Sequence, residues 1–208
     1  MKSIFDTIDD FKKAAEGGGS SDFLKLKDKE SVRVRFLQEL DNSGSNFDES
    51  KGTALGVFEH ANPESGTPKF ACTADELGKC FGCELAVKTK GWKKRARLYI
   101  NASLRGTGGE PSKVVIINQG LSNRSIGGPL IEYFGDLGTI CDRDYKIKRN
   151  GEGLKTTYAL MPLEPSKLSK EDKEAQTVDL SNFVKKLSYE EQVEAVESGV
   201  SSKDGDDW

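Results

Sequence analysis

The chain has 208 residues, of which 35% are hydrophobic and 31% charged, with a formal net charge of −3. The longest aliphatic run, residues 114–117, falls far short of the roughly 18 residues that a membrane helix needs. The low apolar share predicts that part of the chain lies outside any packed core. A single histidine excludes an HExxH site and any triad that requires a second His, so a non-enzymatic role is expected. The opening residues carry Asp6, Asp9 and Asp10 and do not read as a secretory signal. A cytoplasmic location is expected, where disulfides are disfavoured and the four cysteines need another explanation.

Ile4, Phe5, Ile8 and Phe11 recur at helical spacing and predict a short amphipathic helix over residues 3–15. A glycine-serine linker follows, so residues 1–22 form an N-terminal helix and linker. From Phe23 the period becomes two. Val32-Arg33-Val34-Arg35-Phe36 predicts a half-buried strand, and Val57-Phe58 a short one running into His60. Residues 61–91 are poor in aliphatics. Residues 92–104 form the clearest strand, with Trp92, Lys94, Ala96, Leu98, Ile100 and Ala102 on the core face. Lys93, Arg95, Arg97, Tyr99 and Asn101 occupy the outer face. Phe36, Phe58 and Trp92 are assigned to the core. A strand over 113–118, a helix over 129–138 and a hairpin of 144–149 with 154–160 follow, and Pro162 and Pro165 are expected to end the sheet. Short strands with long loops suggest a small oligonucleotide-binding (OB) barrel over residues 23–163. Residues 164–208 hold 6 Lys and Arg against 12 Asp and Glu and read as an acidic, mostly disordered tail with a capping box at Ser188.

The only histidine and three of the four cysteines fall in the pattern His60-x11-Cys72-x7-Cys80-x2-Cys83. One imidazole and three thiolates complete a closed tetrahedral shell, which suits a single structural Zn2+ that orders residues of about 60–91 in place of a hydrophobic core. Gly82 would let the knuckle turn tightly. The other reading is a pair of free or redox thiols, but a redox CxxC opens a helix in a βαβ unit, and no such unit is predicted. Cys141 reads as a core residue and would be the substitute ligand if His60 were not one.

Lys88, Lys90, Lys93, Lys94, Arg95 and Arg97 fall within ten residues without an acid. Such a cluster marks either a nucleic-acid surface or a solvated strand face. Cations interleaved with rings favour unpaired strands, because an aromatic ring stacks on any exposed base. On this basis Arg33, Arg35, Lys93, Arg95 and Arg97 are candidate phosphate contacts, with Lys88 and Lys90 beside them. Tyr99, Tyr145 and Tyr158 are candidate stacking residues. Lys146, Lys148 and Arg149 crowd the late hairpin.

Together these features resemble the phage single-stranded DNA-binding proteins of the T4 type, the helix-destabilising proteins, over about residues 23–162. The resemblance rests on Val32-Arg33-Val34-Arg35-Phe36-Leu37, on His60 and Cys72 with Cys80-Phe81-Gly82-Cys83, and on Lys93-Lys94-Arg95-Ala96-Arg97-Leu98-Tyr99-Ile100-Asn101, followed by the acidic tail. It implies an OB barrel with an inserted zinc subdomain and a protein that coats single-stranded DNA in replication, recombination and repair, in a bacterial host's cytoplasm. It also implies a tail, ending in Asp204, Asp206, Asp207 and Trp208, that recruits polymerase, helicase or helicase loader, and recombinase. Free of DNA, that tail is expected to lie over the basic cleft. The family's basic N-terminal motif has no counterpart, since residues 1–10 are apolar and acidic. An RNA-binding zinc protein and a protein–protein adaptor with a structural zinc remain the alternatives.

Overall fold

The computed structural model describes residues 23–62, 69–108 and 110–197. The helix expected over residues 3–15 and the tail tip from Asp204 to Trp208 lie outside them. Seven strands build one antiparallel sheet: β1 (Ser31–Phe36), β2 (Leu55–Ala61), β3 (Phe70–Ala71), β4 (Lys93–Leu104), β5 (Lys113–Gly120), β6 (Arg143–Asn150) and β7 (Thr157–Pro165). The order is β3-β2-β4-β1-β6-β7, with β5 also on β4.

The long strand β4 organises this sheet. β2 pairs with its first half, from Lys93 to Tyr99, and β1 with its last residues, from Ala102 to Leu104. β5 pairs with Arg97 through Leu104, overlapping both, and so takes the opposite edge. The expected OB barrel is not confirmed. No ladder joins β5 to β7 among the described residues, and the sheet is open. The two edges are occupied otherwise. Leu24 N–H donates to Ile116 O of β5 at 2.8 Å, and Tyr158 N–H of β7 donates to Arg124 O at 3.0 Å. β7 also runs through Pro162 to Pro165 rather than stopping at them. An edge strand tolerates proline because its outward N–H has no ladder partner to lose.

One face of the sheet carries the main core. Val34, Phe36, Ile100, Ala102, Val115, Ile117, Tyr145 and Ile147 pack there with Leu130 of helix α3 (Gly127–Leu137). Each large aliphatic side chain buried in this way contributes roughly 1.5–3 kcal/mol. Cys141 is buried in the same core, as the sequence suggested.

The opposite face is covered as well, by the segment expected to be a disordered tail. Residues 164–197 include helices α4 (Lys170–Glu174) and α5 (Tyr189–Glu197) and a 3₁₀ turn, Leu180–Phe183. Leu180 and Val184 pack with Tyr99, Ile116 and Ala71. The Asn101 amide donates to Val178 O at 2.9 Å and accepts from Val178 N–H at 3.1 Å, imitating a strand pairing. Asp172 forms a reciprocal cap with Ser169 and a two-pronged pair with Arg105, at 2.6 and 2.9 Å. The segment's few apolar residues are therefore well aimed, and part of its acidity is neutralised internally. The box at Ser188 does open a helix, with Glu191 N–H donating to Ser188 Oγ at 3.2 Å.

Two short helices complete the lobe beside β2 and β3: α1 (Ala74–Leu77) and α2 (Phe81–Lys88). No helix among the described residues is long and apolar enough to cross a membrane.

Candidate metal centre and basic surface

His60, Cys72, Cys80 and Cys83 converge, with ligand atoms all within 4.8 Å of one another. The backbone explains the convergence. His60, one residue before the end of β2, lies opposite Phe70 of β3, and the next ladder bond, Cys72 N–H to Phe58 O at 2.7 Å, brings Cys72 onto the same face. Cys80 is the N-cap of α2 and Cys83 lies in its first turn, so the two sulfurs sit on one side of a helix start. The knuckle thus opens a helix, which the sequence reading had reserved for redox pairs, but without a βαβ unit. The sulfurs of Cys72 and Cys83 are 3.5 Å apart, and Cys83 Sγ is 3.5 Å from His60 Nε2. Gly82 does not serve a left-handed turn. A Cβ there would lie 2.5 Å from His60 Cγ, so glycine is required for the imidazole to approach.

The chemistry of the four groups suits a cation, and they could hold a metal ion. His60 is fully buried, and burial, together with the Lys94 charge, pulls its pKa down, so the ring is neutral and can ligate. Among the described residues its Nδ1 has no hydrogen-bond partner, and its Nε2 lies 3.5 Å from the Cys83 sulfur. A buried imidazole so poorly compensated is costly unless an ion supplies the missing interaction. Burial and the neighbouring sulfurs push the Cys83 thiol up to about 12. For Cys80 burial acts upward too, but hydrogen bonds from the Thr73 and Cys83 backbone prevail and hold it below the ordinary thiol value. Cys141 lies in the main core, apart from the cluster. The lobe also has a small aromatic core of its own, with Phe70 stacked near His60 at 6.0 Å and near Trp92 at 5.9 Å.

The candidate nucleic-acid residues divide. Lys88, Lys90, Lys93, Arg95 and Lys146 are exposed, as is Arg33. Arg97, Lys148, Arg149 and Tyr158 are half-buried. Arg97 is tied to Asn118 Oδ1 at 2.9 Å, and Arg149 donates to Leu26 O at 2.6 Å. Three assignments are corrected. Tyr99 is fully buried and its hydroxyl donates to Glu59, because the C-terminal segment covers the outer face of β4. Tyr145 is fully buried against Phe36. Arg35 is 1% exposed and donates to Asp144 Oδ1 at 2.7 Å, to Cys141 O at 3.0 Å and to Ser166 O at 3.1 Å. Neither ring can stack on a base, and this guanidinium cannot meet a phosphate. Even exposed Arg33 leans on Asp144, at 2.6 Å.

Two residues lie elsewhere than their face assignment implied. Phe58, assigned to the core, is 48% exposed. Lys94, on the face read as apolar, holds its ammonium 4.5 Å from the Phe58 ring centroid. Partial burial opposes the charge on Lys94, but the Cys72 and Cys83 sulfurs favour it more and raise its pKa. The signal was present: a lysine interrupting the apolar alternation marks where the strand outruns the core. Phe58, His60 and Cys72 share one sheet face through the β2–β3 ladder, so the metal cluster and the exposed ring belong to one surface.

No family model matches this chain, and a search of the curated proteins returns no match.

Proposed function

We propose that this chain is a non-enzymatic protein that binds single-stranded DNA without sequence preference, organised by one structural zinc ion on His60, Cys72, Cys80 and Cys83. Three thiolates and an imidazole are a donor set for zinc rather than for magnesium or calcium. Tetrahedral bonds of about 2.0 Å to nitrogen and 2.3 Å to sulfur give ligand–ligand edges of about 3.5–3.8 Å, close to the two 3.5 Å separations. The ion fills all four positions with protein ligands, so its contribution is folding energy for the lobe.

The observation that carries the DNA reading is Phe58, a large exposed ring on the same sheet face as the metal cluster, with the Lys94 ammonium 4.5 Å from its centroid; Lys93 and Arg95 are exposed on the other face of the same strand, and Lys88 and Lys90 are exposed just before it. A ring stacks on an unpaired base while cations neutralise the adjoining phosphates; duplex DNA hides its base faces. A partly open OB barrel is the architecture this reading favours, and it accommodates an open sheet. Replication and recombination proteins would be met through Asp204, Asp206, Asp207 and Trp208.

The test is oligo-dT affinity of zinc-loaded variants. Phe58→Ala is expected to weaken binding by roughly 5- to 100-fold, the equivalent of one lost stack. Lys93→Ala with Arg95→Ala is expected to flatten the slope of log K on log salt by about 1.4. Unchanged affinity in Phe58→Ala would overturn the stacking role. Tighter binding to a matched RNA would move the assignment to RNA.

A further inference from the structure

We infer that Gln192 is a positioning residue of the metal centre, and that metal binding and docking of the C-terminal helix α5 form one linked equilibrium. The inference rests on the metal reading above. Gln192 is fully buried, and it is the only residue of α5 that is. Its Oε1 accepts from Gly82 N–H at 3.3 Å and from the Cys80 thiol at 3.4 Å. Its Nε2 donates to Thr73 Oγ1 at 2.9 Å and to Leu187 O at 3.0 Å. Thr73 Oγ1 in turn donates to Lys79 O at 3.0 Å.

Apart from Leu187 O, every group in this chain of bonds is in a ligand or beside one. Thr73 follows Cys72, Lys79 precedes Cys80, and Gly82 lies between Cys80 and Cys83. The Cys80 thiol proton leaves when the sulfur ligates an ion, but the bonds to Gly82 and Thr73 do not depend on it. Other contacts between α5 and the lobe include Tyr189 edge-on to Phe81, Tyr189 with Glu84, and Lys79 with Glu190 and over the Tyr189 ring. Of these the exposed Lys79–Glu190 pair contributes little. The one fully buried side chain of α5 is therefore a polar one, bonded to groups whose placement depends on the shape of the knuckle. A lobe that draws its folding energy from an ion loses that shape without it. Linkage then works in both directions: docking of α5 raises metal affinity by the factor by which metal favours docking.

Two measurements on the full chain test this. In chelator competition, Gln192→Ala should bind zinc about 10- to 100-fold more weakly, whereas Glu190→Ala, which loses only the surface pair, should match the wild type. In hydrogen exchange of the wild type, chelation should remove protection from residues 189–197 while α3 and β6 keep theirs; this readout stands even if the Gln192 variant fails to fold. Zinc affinity within twofold of the wild type in Gln192→Ala, or protection of α5 that survives chelation, overturns the inference. A wild-type chain that binds no zinc overturns the metal reading itself, and zinc stoichiometry distinguishes that failure from the other.

Discussion

Gly82 and Asp144 are the residues on which most depends locally. With a Cβ at position 82 only 2.5 Å from His60 Cγ, Gly82→Ala must displace either the imidazole or the knuckle. The expected outcome is a loss of zinc affinity of at least about 10-fold, comparable to losing an outer-shell partner, read by chelator competition. Asp144 receives Arg33, Arg35 and Arg105, and Arg105 also grips Asp172. Burial would raise both carboxyls, but the guanidinium hydrogen bonds outweigh it and hold both below the ordinary value. In the unfolded chain these groups titrate near 3.9. Their stabilisation is thus complete above about pH 4 and is lost as pH falls through the lower native values. The melting temperature should drop below about pH 4. Asp144→Asn should cost about 3–5 kcal/mol at neutral pH, because it removes the carboxylate from the buried Arg35, and should make the acid decline shallower. The cluster of His60, Cys72, Cys80 and Cys83, which could hold a metal ion, was legible in the sequence because four donors of one chemical kind fall in a stretch poor in aliphatics. Arg35, Tyr99 and Tyr145 were not, because alternation assigns a side chain to a face without saying what covers that face.

At the scale of elements, the strands β1, β4, β5 and β6 and the helix α3 were readable from periodicity and turn chemistry. The two-residue strand β3 and the helices α1 and α2 were not. They are too short for a period to register, and contacts around the ligands fix them. The C-terminal segment was misread for a compositional reason. Its acidic residues suggested a solvated tail, whereas Asp172, Leu180, Val184 and Gln192 are buried against the body. This changes what a truncation tests. Ending the chain at residue 197 keeps every contact described above and serves as the reference. Ending it at 163 should lower stability sharply, since Tyr99, Ile116 and Arg105 lose their cover and partners. Equal melting temperatures for the two truncations would contradict the packing described here.

At the scale of the whole molecule, one open sheet carries two differently built ends. One end is an aliphatic core closed by α3, and the other is a lobe of thiols, imidazole and aromatic rings from which Phe58 and several cations face solvent. Sheet closure could not be read from the sequence, because it depends on which edges find partners, and here Leu24 and Arg124 reach the edges first. The most direct test is to titrate the full-length, zinc-loaded protein with oligo-dT and with duplex of equal length over a salt series, with zinc counted in the same sample. One zinc per chain, preference for the single strand, and log K falling linearly with log salt are the predicted results. A folded protein without metal that leaves oligo-dT unbound at low salt would contradict the account.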